Sequence, residues 1–194
     1  MRTMIGATMA APTASRASED PVARRIAAGD YHGALAACAH QHGAALGRLC
    51  FVWLGSKAEA DEASQEALLA AFDAMADYRG DGSVRAWLFG IARRVCARRS
   101  AITSRREAIL RRVHDPAAAP DAPDAIASER HRAERLRGAL DQLRPSDRDA
   151  LVLRYHAELS FRDVALACGL DEPAARKRVG RALERLRDLL GEEP

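Results

Sequence analysis

The residues of this 194-residue chain that could do chemistry are charged, and they come in blocks of one sign. From Arg79 to Arg112 ten arginines stand against Asp81 and Glu107, a net of +8, and from Pro173 to Arg187 six basic residues stand against Glu184, a net of +5. Guanidinium groups at that density suit phosphate, because each is permanently charged and offers a planar fork of N–H donors. Between Asp30 and Asp77 the balance reverses: Arg48 and Lys57 face seven carboxylates, a net of −5. The whole chain sums to only +3, so the segregation carries the information. It points to one acidic surface for a protein partner and two basic surfaces for nucleic acid. Arg outnumbers Lys 28 to 2, a bias that a GC-rich genome would also produce.

Nucleophilic and metal chemistry find little support. The cysteines, Cys38, Cys50, Cys96 and Cys168, form no C-x-x-C pair of the kind a zinc ribbon or redox motif uses. Cys38 and His42 share a helical face and could ligate a metal, but Leu35, Leu46, Leu49 and Trp53 lie on the same stripe, which reads as core packing. No nucleotide motif and no Ser/His/Asp arrangement stands out, so the expectation is a non-enzyme with no cofactor and no small-molecule substrate. No apolar run approaches the ~20 residues that cross a bilayer, and Met1 to Asp20 lacks the apolar core of a secretory signal. A disordered tail over 1–20, no direct membrane insertion and a cytoplasmic location are expected.

The elements that must position these charges are helical. The composition is rich in Ala, Arg and Leu, with few aromatics. Pro21 to Leu54 predicts one long helix or two shorter ones, punctuated by Gly29 and Gly33 and closed by Gly55. Lys57 to Tyr78 predicts a helix with Ala63, Ala67, Ala70, Ala74 and Tyr78 on one side. Glu59, Glu62, Glu66 and Asp73 form an acidic stripe on another side, beside Asp61 and Gln65. Arg79 to Ser83 is a turn, and Ser83 can cap a helix from Val84 to about Arg99 with Val84, Trp87, Leu88, Ile91 and Val95 for the core. Arg93, Arg94, Arg98 and Arg99 crowd its second half, more than are needed to complement a helix C-terminus. Three prolines between Asp115 and Asp124 mark a linker.

Helical spacing resumes at Ala127, and Asp147 to about His156 leads into Leu159–Leu190. That stretch reads as a helix-turn-helix. Ser160 caps the first helix with Asp163 in the capping-box position, Gly169 reverses the chain, and Pro173 opens the second helix. Ala175, Val179, Ala182, Leu186 and Leu190 form its apolar side, while Lys177, Arg181, Glu184 and Asp188 lie opposite, flanked by Arg178 and Arg185. A helix that docks on one side and is charged on the other can enter a major groove. The fold class expected is all-α: a tail (1–20), a helical domain (21–112), a flexible Pro/Ala-rich linker (113–128) and a second small helical domain (129–191).

Two long motifs carry a family resemblance. Ala60-Asp-Glu-Ala-Ser-Gln-Glu-Ala-Leu-Leu69 with Tyr78-Arg-Gly-Asp-Gly-Ser-Val-Arg-Ala-Trp-Leu-Phe-Gly-Ile-Ala-Arg93 resembles region 2 of the extracytoplasmic-function (ECF) group of bacterial RNA polymerase sigma factors, in the sigma-70 family. Leu143-Arg-Pro-Ser-Asp-Arg-Asp-Ala-Leu-Val-Leu-Arg-Tyr155, continuing through Gly169, resembles their region 4. The resemblance implies an alternative sigma factor that binds core RNA polymerase and directs promoter-specific initiation at −10 and −35 elements. It implies core-polymerase binding through Asp61, Glu62, Gln65 and Glu66. It implies −10 recognition and opening through Tyr78, Arg79, Asp81, Ser83, Arg85, Trp87, Arg93, Arg94 and Arg98, with Trp87 equally able to serve the core. It implies −35 recognition through Arg176, Lys177, Arg178 and Arg181. Partners would be core RNA polymerase, promoter DNA both double-stranded and melted, and an anti-sigma factor.

The chain departs from the family pattern at named places. Arg94 and Arg98 stand where Asn and Asp are common, Val84 stands for a Phe, and Pro173-Ala-Ala-Arg-Lys-Arg178 replaces Gly-Thr-Val-Lys-Ser-Arg. These motivate one alternative, a sigma-like polymerase-binding protein deficient in promoter opening. A second alternative is an ordinary helix-turn-helix transcriptional regulator, which leaves the acidic helix and the Trp87 segment unexplained.

Overall fold

The computed structural model describes residues 20–110 and 134–191, with side chains omitted over 104–110. The tail up to residue 19, the linker 113–128, the start of the second domain before 134, and Arg111 and Arg112 lie outside the described residues. All regular structure within them is helical, and none is strand.

Pro21 to Leu54 forms two helices, α1 (Pro21–Ala27) and α2 (Tyr31–Leu54). The break falls at Gly29, whose φ of +74° L-residues avoid, and not at Gly33, which continues the helix. Asp20 and Asp30 cap the two helices by accepting from the N–H groups of Val22 (2.8 Å) and Gly33 (2.9 Å). The Gly33 N–H, and after it the Arg25 guanidinium, hold the Asp30 carboxyl below the usual range. Gly55, left-handed at φ +73°, ends α2.

The stripe expected to pack does so. Cys38, Leu46 and Leu49 are fully buried, His42 and Trp53 nearly so. Burial pulls the His42 pKa below its ordinary value and pushes the Cys38 thiol up to about 11, the behaviour of core residues.

Helix α3 runs Lys57–Asp73, shorter than the expected Lys57–Tyr78. After Ala74 a 3-10 turn, Met75–Asp77, swings Met75 into the core, and Tyr78 leaves in extended conformation. Burying Met75 overrides local helix preference. Ala60, Ala63, Ala67 and Ala71 form the buried side, and their small Cβ atoms let α3 lie close along α2.

Helix α4, Val84–Leu110, outruns its expected end at Arg99 by eleven residues. No Gly or Pro interrupts it after Gly90, and Arg, Ala, Glu and Leu favour helix. Its first half is buried on nearly every side: Val84, Ala86, Leu88, Phe89, Ile91, Ala92, Val95 and Cys96 are all at most 4% exposed. A helix apolar all round must have partners on more than one face. Helices α2 and α3 cover one face, and a helix from the second half of the chain covers another.

That second half consists of a helix over 134–141 (α5), α6 (Pro145–Tyr155), α7 (Phe161–Cys168) and α8 (Glu172–Leu190). Val152, Leu153, Val164, Ala167 and Val179 join the same core as Leu46, Phe89 and Met75. A smaller cluster of Ala139, Leu143, Leu151, Ala182 and Leu186 binds α5 to α6 and α8. Replacing Leu46, fully buried, with Ala removes core volume that its neighbours only partly refill. Denaturant unfolding monitored by circular dichroism is expected to show a loss of about 3 kcal/mol.

Candidate polymerase- and nucleic-acid-binding surfaces

The acidic residues of α3 divide between two tasks. Asp61, Glu62 and Gln65 are exposed, whereas Glu66 is turned toward α4. Arg99 donates to Glu66 and to Glu62, both at 2.9 Å, and Arg98 donates to Glu66 at 2.6 Å. Thr103 reaches Glu59 at 3.3 Å in the same seam. Asp61 pairs with Lys57 one turn earlier at 2.8 Å, on the solvent side. The guanidiniums of Arg99 first and Arg98 next hold the Glu66 carboxyl below its usual range. The acidic stripe is thus partly spent within the protein, and Asp61, Glu62 and Gln65 form its outward edge.

The turn before α4 is braced by Tyr78, whose hydroxyl donates to the Gly82 carbonyl at 2.9 Å. Burial is the main cause that raises the Tyr78 phenol to about 12, so it stays a donor at any ordinary pH. Its ring lies 5.1 Å from that of Trp87, tilted by 58°. Trp87 is half-buried and packs against the core, leaving an edge beside Tyr78, Arg94 and Leu166 around a cavity of about 220 Å³. Ser83 caps α4 by accepting from the Ala86 N–H at 3.1 Å.

The structure places the −10 candidates in two groups. Arg79, Asp81, Arg94 and Arg98 are exposed, although Arg98 is held by Glu66. Others are turned into a seam with the second half of the chain. Ser83 donates through its N–H and hydroxyl to Asp163 (3.3 and 3.1 Å), and Arg85 donates to the Ala157 carbonyl at 2.9 Å. Arg93 donates to the Ala167 carbonyl and pairs with Asp149, at 3.3 and 3.2 Å. Burial pushes the Asp149 carboxyl above its usual range, and Arg93 pulls it partly back. Sequence reasoning missed Asp149 and Asp163 as partners, because a lone Asp on a predicted helix carries no signal of what faces it.

The helix-turn-helix is built as its residues imply. The Ser160 hydroxyl accepts from the Asp163 N–H at 3.1 Å, and Gly169 makes the turn at φ +67°. Asp171, which the sequence reading passed over, caps α8 by accepting from the Ala174 N–H at 2.7 Å. On α8 the side Ala175, Val179, Ala182 and Leu186 is buried, whereas Arg176, Lys177 and Arg181 are exposed. Arg176 pairs with Glu172 and lies over the Phe161 ring at 4.4 Å. Arg178 is half-buried, 4.0 Å from Asp147.

The family description "Sigma-70 region 2" matches residues 38–106, and "Sigma-70, region 4" matches residues 133–186. The chain is similar to the ECF RNA polymerase sigma factor EcfG of Rhodopseudomonas palustris, at 31% identity over 70% of this chain and 74% of that protein. In fold it is similar to CnrH, solved in complex with the cytosolic domain of CnrY. The TM-score is 0.63 at 24% identity, covering 89% of this chain and 99% of CnrH. It is also similar in fold to the sigma factor RpoE of Bartonella quintana, solved with the anti-sigma factor NepR. There the TM-score is 0.58 at 23% identity, covering 77% and 92% of the two chains.

The α3–α4 seam is testable through pH. A carboxyl whose folded pKa lies below its unfolded value stabilises above the unfolded value and loses that contribution as pH falls through the folded one. A double-mutant cycle on Glu66→Gln and Arg99→Ala is expected to give roughly 1 kcal/mol of coupling at pH 7 in low salt. Unfolding measurements at falling pH should show the coupling vanish below the ordinary Glu range, and added salt should weaken it.

Proposed function

The chain belongs to the ECF group of the sigma-70 family and is an alternative sigma factor of transcription initiation; from that premise we propose which surface performs each step. Core RNA polymerase binds the outward edge of α3 through Asp61, Glu62 and Gln65, with Glu66 holding that edge against α4. The −10 element is met by the turn from Tyr78 to Ser83 and by Arg85, Trp87, Arg93, Arg94 and Arg98 of α4. The −35 element is read by α8 through Arg176, Lys177, Arg178 and Arg181. The working units are residues 21–112 and 129–191, joined by 113–128.

The observation that carries this reading is the exposure, on one helical scaffold, of an acidic edge on α3 and a basic side on α8, each in its family's region. Basic groups on α8 would hold phosphates while one or two reach base edges in the major groove. An unpaired −10 strand needs a basic groove and an aromatic platform, and the Tyr78–Trp87 pair beside Arg94 supplies both kinds of group. Such a protein positions polymerase and catalyses no reaction of its own. No described helix is long and apolar enough to cross a membrane, and a cytoplasmic site of action follows from the partners. An anti-sigma factor is a further partner, supported by the likeness to RpoE, which was solved with one.

The direct test is reconstitution with core polymerase on genomic DNA. Promoter-specific transcripts are the expected result. Core binding without transcripts would favour a protein deficient in opening, consistent with Arg98 being held by Glu66. Failure to bind core would remove the assignment. Asp61→Ala combined with Gln65→Ala should weaken core binding about tenfold in a competition assay, with helicity unchanged. Lys177→Ala with Arg181→Ala should weaken promoter duplex binding and lower the salt slope of log K by about 2, one for each lost phosphate contact.

A further inference from the structure

We propose that Phe161 and Glu172 are positioning residues that hold the Arg176 guanidinium ready to read a base edge, so that α7 and α8 set −35 specificity together. This inference rests on the assignment of α8 to the −35 element above and names how one of its residues discriminates.

Arg176 is the first side chain of α8 that carries a hydrogen-bond donor, because only Glu172, Pro173, Ala174 and Ala175 precede it. The N-terminal end of a recognition helix is the part that reaches base edges. The neighbouring basic groups suit that task less: Lys177 is a point charge without a fork, and Arg178 is half-buried near Asp147. A guanidinium reads a base in one orientation, whereas a free arginine side chain samples many rotamers and loses them on binding.

Three contacts restrict Arg176 ahead of that step. The Asp171 cap and Pro173 fix the backbone of the first turn. Glu172, one turn before Arg176, accepts from its Nε and Nη2 at 3.2 and 2.5 Å. The ring of Phe161, the first residue of α7, has its centre 4.4 Å from the Arg176 guanidinium carbon.

The ring is itself held. Phe161 is half-buried against the main core, and the Arg154 guanidinium lies 4.8 Å from its centre. Arg154 is anchored in turn by donating to the Leu159 carbonyl at 2.9 Å. Two guanidiniums drawn to one ring repel each other, and the Glu172 carboxylate offsets that repulsion on the Arg176 side. A guanidinium bound side-on through Nε and Nη2 keeps its end-on edge, Nη1 with the second Nη2 hydrogen, for two adjacent acceptors. In the major groove, O6 and N7 of a guanine are such a pair. Core packing alone asks for an apolar side chain at 161, but neither for a ring against Arg176 nor for a carboxylate at 172.

The test uses the full chain reconstituted with core polymerase and duplexes randomised over the −35 segment of a promoter found by transcript mapping. Sequencing the bound fraction gives the base preference at each position. Arg176→Ala is expected to flatten the preference at one position. Phe161→Leu and, separately, Glu172→Gln should each cut discrimination at that same position about tenfold, leaving the other positions within about twofold of wild type. Phe161→Tyr keeps the ring and should retain the wild-type preference. The salt slope of log K should be unchanged in both Phe161 variants, since no phosphate contact is lost. Circular dichroism verifies folding, and if Phe161→Leu does not fold, Glu172→Gln decides alone. A loss spread evenly over all positions, or no loss, overturns the positioning role even where Arg176→Ala flattens one position. If Arg176→Ala flattens none, base reading by Arg176 itself fails, and the inference with it.

Discussion

The contact on which the rest of this structure depends is the crossing of α7 over α4 at Gly90 and Ala167. The absence of a side chain at Gly90 lets the α7 backbone lie directly against the helix. Around that point α4 is apolar on several faces, and the consecutive Leu88 and Phe89, about 100° apart around the helix, are both fully buried. One core consequently runs from Val22 in α1 to Val179 in α8. Hydrophobic burial is non-directional and favours whatever closes the largest apolar area. Here it closes the seam between two segments that are separate in sequence.

Charge is then distributed around that core by position more than by sign. Arginines at the seam are used structurally, since a guanidinium can satisfy backbone carbonyls left over at helix ends. Ala157 and Ala167 lie just beyond α6 and near the end of α7, where such carbonyls occur. Arg98 and Arg99 are used a second way, to close α3 against α4 through Glu62 and Glu66. On α8 the basic groups at 177 and 181 face outward because the buried side of that helix is filled by Ala and Val. Arginine thus serves both as a partner for helix-end carbonyls and as an interhelix tie within one chain, and only its neighbours separate the roles.

Much of this was legible in advance. The stripe Cys38–His42–Leu46–Leu49–Trp53 packs because its spacing matches one side of a helix, and Ser160, Gly169 and Pro173 punctuate the helix-turn-helix as their backbone preferences require. Boundaries were less legible. The end of α3 at Asp73 is set by Met75 turning into the core, and the reach of α4 to Leu110 by the lack of any breaker. Among the candidate binding residues, the local positions of Asp61, Gln65, Lys177 and Arg181 followed from helical phase. The engagement of Glu66, Arg85 and Arg93 did not, because their partners lie 32 to 74 residues away.

The sequence by itself determined an all-α chain, the segregation of acidic and basic faces, the helix-turn-helix and the two-region family motif. Each is a matter of periodicity, capping chemistry or local composition, which a chain carries in short windows. Only the tertiary structure decided which charges remain available to partners. Which arginine meets a carbonyl, which meets a carboxylate and which meets solvent depends on helix crossings. The site of those crossings is chosen by apolar surface summed over the whole chain, and no window of sequence contains that sum.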